Sequence, residues 1–295
     1  MARRCRVRGT LLPAMSKAGH QRKPLPGAVE KHVLRRDGDR LSEASDMVAA
    51  EVPVAFAVNG APFAVMMATP DDLEDFALGF ALGEGIIEDV GELVVESIAE
   101  SLEGISIALA LPPSRARAIE ARRRSLEGRS GCGLCGMTAI EAVLRPPRPV
   151  GSGRRFAAAA LDRALRELQG RQPLNALTGA THAAGWATPD GAIALVREDV
   201  GRHNALDKLV GAMARAGIDP RDGFAVTTSR ASYEMVMKAA QAGMPLLAAI
   251  SAPTALAIAF AQGSGLTLVG FARGHGHVVY AHSHRLHDPA REAVA

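Results

Sequence analysis

The last third of the chain runs three times through one short pattern: an aliphatic stretch, a polar turn, then an amphipathic helix. "GAIALVREDV" leads into "GRHNALDKLVGAMARAG"; "FAVTTSRASYEMVMKAAQAG" and "PLLAAISAPTALAIAFAQG" repeat the form. "LTLVGFARGHGHVVYAH" closes the series with strands. Parallel strands cannot be joined by tight turns and need crossover connections, usually helices. The series therefore predicts an α/β fold with a largely parallel sheet and helices packed on it.

The preceding sequence reads as a smaller α/β unit. "VPVAFAVNGAPFAVMMAT" predicts two strands around Asn59-Gly60, a dipeptide suited to a tight hairpin. "TPDDLEDFALGFALGEGII" predicts a helix with Thr69 as cap, Pro70 at its first position and Asp71 and Asp72 in its first turn. Leu73, Phe76, Ala77 and Phe80 share one face, and Gly83 and Gly85 end the helix. "LVVESIAE" and "ISIALAL" predict two more strands, and "FAAAALDRALRELQG" a helix ending at Gly170. These readings divide the chain into a basic, unstructured tail (1–26), an N-terminal α/β domain (27–127) and a C-terminal α/β domain (128–295) that opens with a glycine-padded cysteine loop.

Ligands of open α/β sheets bind beyond the carboxyl ends of the strands. The turns expected there are polar. They carry Glu198, Asp199, Arg202, His203 and Asn204; then Thr228, Ser229 and Arg230; then Ser251, Pro253 and Thr254; then Arg273, His275 and His277. Three of these turns open helices, whose free N–H groups and dipole favour an anion such as phosphate. Asn204, Ser229 and Thr254 could equally serve as helix caps.

"GRSGCGLCGMTAIEAV" places Cys132 and Cys135 two residues apart among glycines, ahead of an expected helix. A helix N-terminus and the nearby Arg129 would lower a thiol's pKa and raise its thiolate fraction. Four readings compete. A structural zinc needs two further ligands, which His275, His277, His282, His284 or His287 could supply. A thioredoxin-like redox pair would need a βαβ context close by. A zinc deaminase needs H-x-E before C-x-x-C, whereas here His182 is followed by Ala184 and the order is reversed. The fourth reading is a nucleophile that carries sulfur as a persulfide, with His182 or His203 handling the proton.

Composition narrows the partners. Three cysteines in 295 residues cannot build a disulfide framework, which points to a reducing, cytoplasmic setting. At 4% aromatic residues there is no base-stacking platform, and the net charge of +3 owes much to Arg3, Arg4, Arg6, Arg8, Lys17, Arg22 and Lys23 in the tail. Neither nucleic acid nor membrane is expected as a partner. Cys5 in the tail has no assigned role, and Met15 offers a second candidate start.

"SGCGLCG", "TGATHAAGW", "EDVGRHNALDKLVG", "SRASYEMVMKA" and "SAPTALAIAFA" occur in the order found in the FdhD family. With "FALGFALGEGII" and "GFARGHGHVVYAH" the resemblance spans about residues 30 to 285. It implies a cytidine-deaminase-like, three-layer C-terminal domain, a homodimer, and a sulfurtransferase serving formate dehydrogenase. In that role a cysteine desulfurase passes sulfur to Cys132, with Cys135 its partner. The persulfide sulfur then goes to the molybdenum bis(molybdopterin guanine dinucleotide) cofactor, bound as substrate, with no permanent metal. The resemblance assigns the cofactor to Phe271, Ala272, Arg273, Gly274, His275 and Gly276. Its phosphates would account for the turns at Arg202, His203, Ser229, Arg230, Ser251 and Thr254. The alternative is a chaperone that holds the cofactor without carrying sulfur.

Overall fold

The structure, a computed structural model of the chain, describes residues 25–117, 148–151, 154–274 and 276–288. Cys132, Cys135, His275 and the basic tail through residue 24 lie outside the described residues.

The chain opens with a ribbon of two ten-residue strands, β1 (Ala28–Asp37) and β2 (Arg40–Ala49), paired antiparallel in a sheet of their own. The sequence reading starts its strands at Val52 and passes over this ribbon, although Asp37-Gly38 is a hairpin signal. Next come β3 (Val52–Val58) and β4 (Ala61–Ala68), joined through Asn59 (φ 48°) and Gly60 (φ 81°), then helix α1 (Leu73–Gly83). β5 (Val94–Glu100) and β6 (Ile105–Ala110) complete a four-stranded sheet of order β4-β3-β6-β5. α1 covers one face of it. Phe56 stacks on Phe80 at 4.8 Å and meets Phe76 edge-on at 5.3 Å, in a core completed by Val54, Ile105, Ile107 and Leu109. Each buried large side chain stabilises by about 1.5–3 kcal/mol.

The expected cap of α1 is corrected. The helix starts at Leu73, preceded by Asp72 in a left-handed conformation (φ 52°) with no capping bond, and its first-turn acids are Glu74 and Asp75. Pro70, Asp71 and Asp72 precede the helix. All three polar groups of Thr69 are committed elsewhere, to Asp199, Val200 and Lys208. Tertiary bonds outcompeted the local cap.

After the two-residue β7 (Phe156–Ala157) come α2 (Ala158–Gly170), α3 (Pro173–Thr178), β8 (His182–Ala187), β9 (Ile193–Asp199) and α4 (Arg202–Arg215). β10 (Phe224–Thr227), α5 (Tyr233–Gln241), β11 (Leu246–Ala249), α6 (Ala255–Ser264), β12 (Thr267–Arg273) and β13 (Gly276–Ala281) follow. The short β14 (Leu286–His287) pairs with β7.

The main sheet has six strands in the order β13-β12-β11-β10-β8-β9. It is mixed rather than largely parallel. β10, β11 and β12 pair in parallel, β8 inserts antiparallel between β10 and β9, and β13 is an antiparallel edge. β8 reads "HAAGWA", whose alanines and glycine have poor strand propensity and left no signal. Alternation along the strands sends Phe224, Val226, Leu246 and Ala248 to the α2 side. Ala225, Leu247 and Ala249 go to the opposite side, under α4, α5 and α6. The result is three layers.

α1 and α4 cross in close contact. A Cβ on Gly79 would stand 1.6 Å from the Asp207 carbonyl oxygen, and one on Gly211 1.9 Å from that of Asp75, so only glycine fits at either point. Arg197 and Arg215 both bind the buried Asp75, at 2.6 and 2.9 Å, and fasten α1 to the main sheet and to α4.

Candidate functional site

Because β8 runs against its neighbours, β9, β10, β11 and β12 all point the same way. Their carboxyl ends at Asp199, Thr227, Ala249 and Arg273 share one edge, and His182, at the start of β8 opposite Asp199, lies there too.

The β9–α4 turn is built around Asp199, which is fully buried. Its Oδ1 accepts from the N–H of Gly201 (2.7 Å) and from Asn204 Nδ2 (2.9 Å). Its Oδ2 accepts from the N–H of Thr69 (3.0 Å) and pairs with Lys208 Nζ at 2.7 Å. Lys208, also fully buried, donates to the Thr69 carbonyl at 2.9 Å. One turn on, buried Asp207 holds Lys238 at 2.9 Å, and Lys238 also binds Glu84 at 2.8 Å. Burial pushes the Asp207 carboxyl up to about 6 against the pull of Lys238. Burial alone would lower the Lys238 ammonium, but Asp207 and Glu84 outweigh it and raise it. Glu198 is equally committed, accepting from the N–H groups of Leu174 and Asn175 at the start of α3 and from the Thr181 hydroxyl. Most of the charge in "EDVGRHNALDK" thus fastens α4 in place.

Two residues of that string remain for chemistry. Arg202 is the first residue of α4, and its buried Nε has no hydrogen-bond partner among the described residues. His203 Nε2 lies 2.8 Å from Glu234 Oε2 and 3.3 Å from Ser232 Oγ, at the start of α5. Burial holds the His203 imidazole below its ordinary range; Glu234 opposes this and Arg202 adds to it. His182, half-buried, is lowered by burial and then by Arg202. Both rings therefore favour the neutral form, which can accept a proton.

The other turns divide the same way. Ser229 is buried, donates to the Arg230 carbonyl at 2.9 Å and shares a bond with Thr227, so it is internal structure. Thr254 caps α6 by accepting from the N–H of Ala257 at 3.2 Å. Asn204 and Ser229 are not caps: Gly201 and Ser232 hold those positions on α4 and α5, and neither provides a side-chain cap. The first turns of α4 and α5 thus keep their anion-binding character. Arg230, Phe271, Arg273, Gly274 and Gly276 are exposed, and Ala272 is buried in the core. Phe271 has φ 51° where the register of β12 and β13 shifts, and its N–H donates to the Ser251 carbonyl at 3.2 Å. That bulge turns a large apolar side chain, 39% exposed, to the rim of the edge.

The test for a deaminase signature fails at His203 as it does at His182. His203 is followed two residues on by Ala205 rather than Glu, and the facing turn carries Ser229 and Ser232 at the spacing of a C-x-x-C. Neither the general acid/base nor the two thiolates of that signature stand at these positions. No group of three or more His, Cys, Asp or Glu placed to hold a metal occurs among the described residues.

The model of the FdhD/NarQ family matches residues 49–287. The chain belongs to this family. It is 62% identical over 261 residues to the sulfur carrier protein FdhD of Xanthomonas campestris pv. campestris strain B100, covering 88% of this chain and 93% of the relative. It is 52% identical over 245 residues to the sulfur carrier protein FdhD of Cupriavidus necator strain H16, covering 83% and 85%. Among solved structures it resembles a putative formate dehydrogenase accessory protein from Desulfotalea psychrophila. That match has a TM-score of 0.70 and 26% identity, covering 89% of this chain and 100% of the other.

The family strings mix two kinds of residue that look alike in sequence. Nothing local marks Lys208 and Lys238 as structural, because their partners Thr69 and Glu84 lie more than 100 residues away on the chain. The signal available was the i, i+4 spacing of polar residues along an otherwise apolar helix, as in Asn204 and Lys208.

Proposed function

We propose that this chain carries sulfur for the maturation of a formate dehydrogenase. Its 62% identity to a sulfur carrier protein, over 88% of this chain, is the observation that carries the reading. Cys132 and Cys135 supply the chemistry such a role needs, because a thiolate is the nucleophile in sulfur exchange. Cys132 attacks the outer sulfur of a cysteine desulfurase's persulfide; the donor cysteine leaves as thiolate and the sulfane sulfur stays on Cys132. Cys135 thiolate then attacks the inner sulfur, closes a Cys132–Cys135 disulfide and expels hydrosulfide to the acceptor. A thiol reductant restores the pair.

The acceptor in this reading is the molybdenum bis(molybdopterin guanine dinucleotide) cofactor, held as substrate along the carboxyl edge. From β9 to β12 the edge spans four strand spacings, about 19 Å at roughly 4.8 Å each. That length suits an extended dinucleotide better than a single phosphate. The first turns of α4 and α5 face its phosphates, with Arg202, Arg230 and Arg273 supplying charge. Phe271 offers a flat surface to a ring. His182 and His203, both neutral, accept and return a proton.

The test is intact mass after incubation with a cysteine desulfurase and cysteine. Wild type should gain one sulfur atom that a reductant removes, and Cys132→Ala should not. No gain in wild type, with guanine-nucleotide binding intact, would replace the carrier by a chaperone that only holds the cofactor.

A further inference from the structure

His203 and Glu234 join the two helix starts that keep their anion-binding character. His203 is the second residue of α4 and Glu234 the second of α5. His203 Nε2 lies 2.8 Å from Glu234 Oε2 and 3.3 Å from Ser232 Oγ. A carboxylate only accepts, so the neutral ring carries its hydrogen on Nε2 and its lone pair on Nδ1. Nδ1 has no hydrogen-bond partner among the described residues.

The pair changes the charge available to an anion. Glu234 sets a carboxylate beside two helix N-termini that draw phosphate, and so works against it. While His203 is neutral, Arg202 and Glu234 cancel. Once His203 is protonated, the three carry a net positive charge and Nδ1–H becomes a donor. The other charges facing the ring are Lys238 on α5 and Glu84 at the end of α1, which bind each other at 2.8 Å. Burial holds the imidazole below its ordinary range; Glu234 and Glu84 oppose this, and Arg202 and Lys238 add to it. An anion set against Arg202 removes much of that repulsion and favours the protonated ring.

We propose that anion binding at the carboxyl edge takes up one proton at His203 Nδ1, with Glu234 as the residue that positions the ring. The proton comes from solvent. Nδ1–H then donates to a phosphate oxygen, while Nε2–H stays on Glu234. The proposal rests on the reading of this edge as a nucleotide site, and adds to it a dependence on pH. Binding that takes up a proton weakens as pH rises.

A guanosine diphosphate sugar is the probe, because both of its phosphates are esterified and neither titrates near neutrality. Calorimetric titration into the full chain should show its affinity falling about 10-fold in wild type between about pH 6.5 and pH 8. The fall should vanish in His203→Gln and shrink to about 3-fold or less in Glu234→Gln, and Glu234→Asp should recover part of it. Nitrogen NMR of the His203 ring near neutral pH should show a hydrogen on Nε2 alone without the probe and on both nitrogens with it. A Glu234 that only ties α4 to α5 would move the melting temperature and leave the pH slope unchanged, which would overturn the proposal. Binding that Arg202→Ala weakens, with one pH slope shared by wild type and His203→Gln, would also overturn it while leaving the nucleotide reading in place. No binding of the probe, or binding that Arg202→Ala leaves unchanged, would remove the reading and the proposal together.

Discussion

The two ends of the carboxyl edge make opposite use of polar residues. At the β9 end, Asp199, Asn204, Asp207 and Lys208 are buried, and each is bonded to protein. At the β12 end, Phe271, Arg273 and Gly274 are exposed, and the turn is held by backbone bonds such as Phe271 to Ser251. The first end is dense in charge, and apart from Arg202 and His203 that charge is taken up by protein partners. The second is sparse and open. A charge-rich string is therefore no guide to where a ligand sits, because a buried charge must be matched by protein before anything else can reach it.

The contrast breaks first at the buried end. Asp199→Ala should cost about 3–5 kcal/mol, because it strands Lys208 and orphans the N–H groups of Thr69 and Gly201. Thermal denaturation would show a fall of about 10 °C or more. Gly79→Ala should follow, at about 1–3 kcal/mol or more, since its methyl would overlap the Asp207 backbone rather than a side chain that can turn away. A wild-type melting temperature for either variant would mean that α4 is not held as described.

At the open end the effects should move from stability to binding. Arg273→Ala should leave the melting temperature nearly unchanged and weaken guanosine diphosphate binding about 10-fold, the scale of one charge-assisted hydrogen bond. Thr254→Ala falls between the two ends. It should cost about 1 kcal/mol by removing the α6 cap, with little effect on binding.

The smallest effect is in pH. His182 is held below its ordinary value, first by burial and then by Arg202, so the unfolded chain takes up its proton first as pH falls through about 6.5. Its contribution is thus intact at neutral pH and is lost on acidification. Asp207 acts in the other sense. With its value raised to about 6 by burial, the fold takes up the proton before the unfolded chain does, and stability is gained between about pH 6 and pH 4. Denaturant titrations should show a shallower loss for His182→Gln than for wild type just below pH 6.5. An identical slope would mean that His182 is not desolvated in the fold.

Much of the architecture was legible. The three strand–turn–helix repeats, the Asn59-Gly60 hairpin and α2 follow from period and turn chemistry, which are local. β8 was not legible, because "HAAGWA" lacks the residues that mark strands, and its insertion is what makes the sheet mixed. Thr69 misled because a cap and a long-range hydrogen-bond partner look identical in sequence. In the candidate site, the positions of the turns followed from strand order. The assignment of Ser229 and Thr254 to structure, and of Arg202 to the open first turn of α4, depended on contacts that sequence does not carry.

The measurement that bears most directly on the account is calorimetric titration of guanosine diphosphate into wild type, Arg202→Ala and Arg273→Ala, with a melting curve for each. The account predicts binding weakened about 10-fold in both variants at nearly unchanged melting temperature. Unchanged affinity in both, with the fold intact, would place the nucleotide elsewhere and contradict the carboxyl edge as the site.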